Sequence, residues 1–319
     1  ISFLWGSHVV HHQSEEYNLT VALRQAALQG AFSWVFYLPL AVVGFSPGMF
    51  LTIASLQTLY QFWIHTKLIN KMHPAFEYVF NTPSHHRVHH GVNPKYIDRN
   101  HGGTLIIFDR MFGTFQVEEE EVVYGITKQP KSWNPVYVNF EYWVDLFKEA
   151  FSVKSHADKV RMMLKGPGWK PAELGGVEPM KDVSYATFTK YDTDIPAALN
   201  YYVLVQFILV LAGTTIFLNT EMKEPFSGNI LLKVGTALTI ILSLVNIGGI
   251  FERKAWVPVL EYVRLIATAA VVMLLVKSSP NFYAISGTVA AIALASAVWF
   301  TTFLPLFKTT NTHAEVYAG

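Results

Sequence analysis

Asn81-Thr-Pro-Ser-His-His-Arg-Val-His-His-Gly91 carries His86, His89 and His90 in an H-x-x-H-H pattern. The same pattern stands near the start of the chain as His8, His11 and His12. Positions i, i+3 and i+4 share one face of a helix, so each cluster aims three imidazoles at one point. The flanks of the second cluster read as a short helix, with Thr82 as N-cap, Pro83 at the first helical position and Gly91 as a left-handed C-cap. Imidazole suits iron, zinc, copper and nickel. Six convergent imidazoles exceed what one tetrahedral ion takes, and the chain holds only 12 histidines. The pattern therefore predicts a two-metal centre. His85 points away from His86 on a helix and is expected as a hydrogen-bond partner that orients the ligands.

The chain has 319 residues, 51% of them hydrophobic and 15% charged, with a mean hydropathy of +0.29. That is too apolar for an ordinary soluble domain. A net charge of +1 gives no basic field for nucleic acid. The absence of cysteine excludes disulfides, thiolate zinc sites, iron–sulfur clusters and cysteine nucleophiles. Phosphate-binding glycine loops and nucleophile elbows are absent too. The chain opens inside the apolar run Ile1-Ser-Phe-Leu-Trp5 with no charged segment ahead of it. This reads as a start within a longer protein and not as a signal peptide.

Ser14 and Asn18 are candidate N-caps, and Leu19 to Gln29 reads as an amphipathic helix with Arg24 and Gln25 on its polar side. Glu15 is either a carboxylate near the first cluster or a solvated helix-start charge. Residues 31–64 read as a helical membrane hairpin turned at Ser46-Pro47-Gly48, each arm short of the roughly 20 residues of a clean span. Trp34, Tyr37, Tyr60 and Trp63 suit its interface. His65 closes the hairpin, and an ionisable residue there is a candidate ligand, whereas His73, beside Pro74, reads as a turn residue. In the loop-rich return from Gly91 to Phe115, Asp98, Asn100 and Asp109 are expected to hydrogen-bond ligating imidazoles. Glu118 to Glu121 reads as a solvated acidic face.

These features divide the chain into a histidine-rich catalytic region, residues 1–121, a polar extension and linker, 122–198, and apolar helices, 199–308. The last region holds four segments long enough to span a bilayer: 199–218, 230–250, 259–276 and 282–307. None contains His, and they read as scaffold. Arg253, Lys254 and Lys308 fall on one side of them, which the positive-inside rule makes cytosolic, with the histidine region on that same side. The expected fold is an all-α integral membrane protein with a cytosol-facing, histidine-rich two-metal site, which the resemblance below makes di-iron.

The two clusters, His65 and the stretch Asp109-Arg-Met-Phe-Gly-Thr114 resemble the fatty acid hydroxylase / sterol desaturase family of membrane di-iron proteins, strongly over residues 1–115. Tyr60-Gln-Phe-Trp-Ile-His-Thr66, Glu16 to Gln25 and Lys165-Gly-Pro-Gly-Trp169 are similar to the ether-lipid branch of that family. The resemblance implies a multi-pass enzyme of the endoplasmic reticulum membrane with His8, His11, His12, His65, His86, His89 and His90 on two irons. It also implies O2 and tetrahydrobiopterin as reactants and a glyceryl ether as lipid substrate, cleaved to a fatty aldehyde and a glycerol derivative. Two departures stand out. The family's first histidine box is expected upstream of His8, so this chain alone is expected to bind metal poorly. His101 and Phe108 stand where the family pattern has Tyr and Trp. The rival within the family is a sterol or fatty-acyl hydroxylase or desaturase fed by a cytochrome-b5-type donor. Outside catalysis, a non-catalytic paralogue or fragment competes. A metal transporter or sensor would favour His or acidic residues inside the spans, and the four segments are treated as lacking both.

Overall fold

Residues 1–177 and 179–308 are described by a computed structural model. The chain folds as two units. One takes Ile1–Lys131 with Asn139–Tyr191, and the other takes Ser132–Val138 with the chain from Asp192 onward. The polar stretch 122–198 contributes to both. Among the described residues the structure is helical, with only two isolated β-bridges, Phe80 to Leu105 and Gly91 to Tyr124.

The first unit opens with two one-turn helices, α1 (Ser2–Trp5) and α2 (Val9–His12). The helix expected over Leu19–Gln29 stops early, as α3 (Leu19–Leu23), capped by the Asn18 side chain. Arg24 leaves the helix in an extended conformation because its guanidinium serves elsewhere, donating from Nε to the Val10 carbonyl at 2.7 Å. Ser14 caps nothing; its hydroxyl bonds the Glu16 carbonyl.

The expected hairpin has unequal arms. The first is a run of short pieces, α4 (Gln29–Ser33), a 3₁₀ turn and α5 (Leu38–Val42), the last opening at Pro39, which has no N–H to continue a ladder. The second is one continuous helix, α6 (Pro47–Ile64), capped by Ser46. After α7 (Pro74–Val79), where His73 is the N-cap, comes the cluster helix α8 (Pro83–His89).

Two details of α8 differ from expectation. Thr82 stands at the N-cap, but its hydroxyl bonds the Glu77 carboxylate and the Ser84 hydroxyl and caps no helix amide. The C-cap is His90, in right-handed geometry. Gly91 is needed for space and not for backbone freedom: a Cβ there would sit 2.9 Å from the Tyr96 ring and 3.0 Å from Val122. The short α9 (Ile107–Phe112) ends on left-handed Gly113. Then α10 (Pro135–Ser152), from Asn139 onward, and α11 (His156–Leu164) complete the unit, with Leu146, Ala150, Val153 and Met162 packed together. Trp143 of α10 donates to the Phe3 carbonyl and lies over Gly6, so α10 supports α1.

The second unit holds α12 (Ala197–Thr220), α13 (Ile230–Phe251), α14 (Val257–Val276) and α15 (Phe282–Thr301), four helices long and apolar enough to cross a membrane. Their apolar core gathers Leu199, Tyr202, Ile250, Val257 and Phe300. Reading them as plain scaffold without acidic residues fails at Glu261, which is buried with Arg264 inside α14. Arg264 Nε donates to Glu261 Oε2 at 2.5 Å. Tyr202 of α12 and Asn246 of α13 donate to the same carboxylate. Arg264 also reaches Gln206 of α12 at 2.8 Å, and Gln206 reaches Ser296 of α15 at 3.1 Å. One polar network thus joins all four helices, and it satisfies a charge pair that lipid would not.

Candidate metal centre

Each side of α8 has a separate partner. Val88 is fully buried against Tyr17, Tyr96, Val122 and Tyr124. Arg87 donates to the Thr66 and Ile69 carbonyls and pairs with Glu118. His85 packs edge-on against Phe115. That leaves His86, His89 and His90 for the interior. On α2, Val9 and Val10 pack with Ala26, which turns His11 and His12 the other way, with His8 at the N-cap. His65 is the C-cap of α6.

All seven expected histidines come together, in two groups. His11, His65, His86 and His90 form one; His8, His12 and His89 form the other. Within each group the candidate ligand atoms lie within 4.8 Å of one another. The groups adjoin, with the His12 and His90 rings stacked at 4.3 Å. Two nitrogens bound to one ion at about 2.1 Å, at right or tetrahedral angles, lie about 3.0–3.4 Å apart. The Nε2 pairs His65–His86, His11–His65 and His8–His12 lie at 3.1, 3.3 and 3.1 Å.

Protonation separates this arrangement from ordinary hydrogen bonding. His11 Nδ1 lies 3.0 Å from the Arg24 carbonyl, and His65 Nδ1 lies 2.6 Å from the Gln61 carbonyl. A carbonyl oxygen only accepts, so both Nδ1 atoms carry the proton. In neutral rings both Nε2 atoms are then bare lone pairs, facing each other with no hydrogen between them. A cation satisfies both. His90 Nε2 and His86 Nδ1 are also buried without a partner. Burial, reinforced by neighbouring imidazoles, pushes the pKa values of His11 and His89 down to about 3 and also lowers those of His12, His86 and His90. Burial lowers those of His8 and His65 as well. Neutral imidazole is the form that binds metal. The residues present therefore fit a pair of ions.

The two groups differ in access. Every member of the four-histidine group is buried, whereas His8 and His89 are partly exposed. Three ligands on the open side leave coordination positions free.

Other expected participants lie elsewhere. Asn100 donates to the His85 and Gln116 carbonyls. Asp109 accepts from the His101 and Gly102 amides and from Thr114. Both brace loop backbone instead of ligand rings. Asp98 adopts a left-handed backbone in the same loop. His85 stays outside both groups, its pKa pushed down to about 4 by burial. Glu15 accepts from the Tyr191 amide and orients no histidine. The acidic run is not simply solvated, since Glu118 holds Arg87 and Glu120 accepts from Asn93.

Sequence reasoning missed Arg24, Gln61 and Tyr17. The first two act through their carbonyls, which no side-chain pattern reveals. Tyr17 stacks on His65 at 5.7 Å and donates to the Ile64 carbonyl. Its only signal was an aromatic residue five positions after the first cluster.

Residues 1–114, which contain all seven histidines, match the family described as Fatty acid hydroxylase. The match takes in the whole histidine-bearing region. The chain is 39% identical over 266 residues to alkylglycerol monooxygenase of Xenopus tropicalis, covering 83% of this chain and 58% of that protein. It is 37% identical to the Homo sapiens protein of the same name over 270 residues, with the same coverage. For the Danio rerio protein the identity is 38% over 268 residues. The chain thus spans somewhat over half the length of these relatives. No solved structure matches it. The fatty acid hydroxylase region ends within the first unit, so the histidine centre and the family match coincide.

Proposed function

We propose that the chain is a membrane di-iron monooxygenase that hydroxylates the ether-adjacent carbon of glyceryl ethers, with O2 as oxidant and tetrahydrobiopterin as reductant. The observation that carries it is the division of seven neutral imidazoles into a closed group of four and an open group of three. The relatives' name supports the substrate class. His11, His65, His86 and His90 would hold one iron and His8, His12 and His89 the other. Such a pair activates O2 toward inert C–H bonds, which side-chain acid–base chemistry does not oxidise.

The protein's own contribution is positional. The Arg24 and Gln61 carbonyls, with that of Arg99 at 3.3 Å from His89 Nδ1, fix which nitrogen of each ring faces the centre. Burial of the four-histidine group excludes water, and the lipid approaches on the His8–His89 side. The hydroxylated product is a hemiacetal, which separates into a fatty aldehyde and a glycerol derivative. The basic residues Arg253, Lys254 and Lys308 favour a cytosolic site at the endoplasmic reticulum membrane.

Membranes carrying the protein should release fatty aldehyde from a glyceryl ether when given tetrahydrobiopterin and O2, and His89→Ala should abolish this. Turnover that ignores pterin and requires an NADH-driven reductase would assign the protein to sterol or fatty-acyl oxidation instead.

A further inference from the structure

We propose that a groove between α6 and the Gly102–Phe108 segment seats the alkyl chain of the lipid substrate, a glyceryl ether on the reading above, on which this inference rests. Ile53, Leu56 and Tyr60 stand at i, i+3 and i+7, on one face of α6. With Gly102, Leu105 and Phe108 opposite, they border an open groove of about 470 Å³. The lining is mainly hydrocarbon and aromatic, with Gln57 the one amide in it. From Ile53 to Tyr60 the helix rises about 10 Å, a length that suits an extended alkyl segment.

The groove is built, not left over. Its floor is loop backbone that needs two glycines, Gly103 to approach the helix and Gly102 to fold the loop on itself. A Cβ on Gly103 would lie 2.9 Å from Gln61 Nε2, and one on Gly102 would lie 2.6 Å from the Leu105 carbonyl. The floor is pinned at the inner end: Tyr60 donates to the Asn81 carbonyl at 2.7 Å, and Asn81 donates to the Gly102 carbonyl at 2.6 Å.

Its direction is what assigns the occupant. Gly102 follows His101, whose ring lies 6.1 Å from that of His89, a member of the open three-histidine group. The inner end of the groove therefore adjoins the side of the centre that a substrate can reach. The outer end is apolar and open, with Ile53 59% and Phe108 50% exposed. A lipid lying with its tail over Ile53 and Leu56 brings the carbon near its polar end toward His89. Seating in such a groove strengthens binding roughly fourfold per methylene, so KM should fall steeply with chain length until the groove is filled.

The test is photolabelling of the protein in its native membrane with a glyceryl ether bearing a diazirine midway along the alkyl chain. Label should map to residues 53–60 and 102–108 and be competed by unlabelled glyceryl ether. Leu56→Trp, which fills the groove, should flatten the dependence of KM on chain length, with bound iron measured to confirm that the centre is intact. Label elsewhere in an enzyme that cleaves glyceryl ethers, or an unchanged chain-length dependence in iron-loaded Leu56→Trp, overturns the groove and leaves the proposed activity standing. Labelling of the same residues by a fatty-acyl diazirine that glyceryl ether does not compete supports the groove and overturns the glyceryl-ether reading. If Leu56→Trp does not fold, the labelling map alone decides.

Discussion

Arg87 Nη2 meets Glu118 Oε2 at 2.6 Å, one residue along α8 from the candidate ligand His86. The same guanidinium donates to the carbonyls of Thr66, Ile69 and Asn70, the turn that follows His65. One side chain thus ties the second histidine cluster to the segment carrying the remaining ligand. Arg87→Ala would strand three carbonyls and a carboxylate and should cost about 3 kcal/mol or more. Thermal unfolding in detergent should show a clear loss, with bound metal reduced in the fraction that stays folded.

The division of the histidines predicts which metal each substitution removes. His89→Ala takes one of three ligands from the open group and should release that ion, moving elemental stoichiometry from two toward one. His65→Ala takes one of four and should weaken the closed site instead. Loss of both ions together from His89→Ala would show that the two groups act as one site.

Acid should undo the centre. A histidine whose folded pKa lies below its unfolded value near 6.5 binds fewer protons when folded, so its stabilising contribution is full above that value and falls as pH drops. For His11 and His89 the window extends from there down to about 3. Melting temperature and bound metal should both decline between pH 6.5 and 4.5, with little change between pH 7 and 8.

The network around Glu261 predicts an asymmetry among its own variants. Glu261→Ala leaves Arg264 buried without its partner and should destabilise the four-helix unit by about 3–5 kcal/mol. Glu261→Met with Arg264→Met removes both charges and should cost less than the single change. Retention of the folded fraction in detergent, followed by size exclusion, measures both.

The convergence of the seven histidines was legible in the sequence because they stand in a dense, regular pattern: two H-x-x-H-H runs, each on about one helical turn, and His65 at a helix end. The apolar spans were legible for a similar reason, since bilayer thickness sets a length. What holds the ligands was not legible. Arg24 looked like a surface residue of an amphipathic helix, yet it turns inward and donates to the Val10 carbonyl and to Gln13. Gly91 looked like a cap, and its real constraint is the Tyr96 ring lying against it. Arg24 depends on a partner 14 residues back and Gly91 on a loop that folds over it, and helical periodicity encodes neither. Glu261 and Arg264 were visible as letters, but their importance lies in groups from three other helices.

Glu261 and Arg264 lie three residues apart on the same helix, so α14 carries its own counter-charge. That placement bears on the order of biogenesis. The helix can leave the translocation machinery for lipid as an internally neutralised segment, before any neighbour has docked. The chain emerges from its N-terminus, so the Tyr202 hydroxyl and the Asn246 amide are already in the bilayer when the charged pair arrives. Ser296 reaches Gln206 last, since α15 is the last of these four helices to be synthesised.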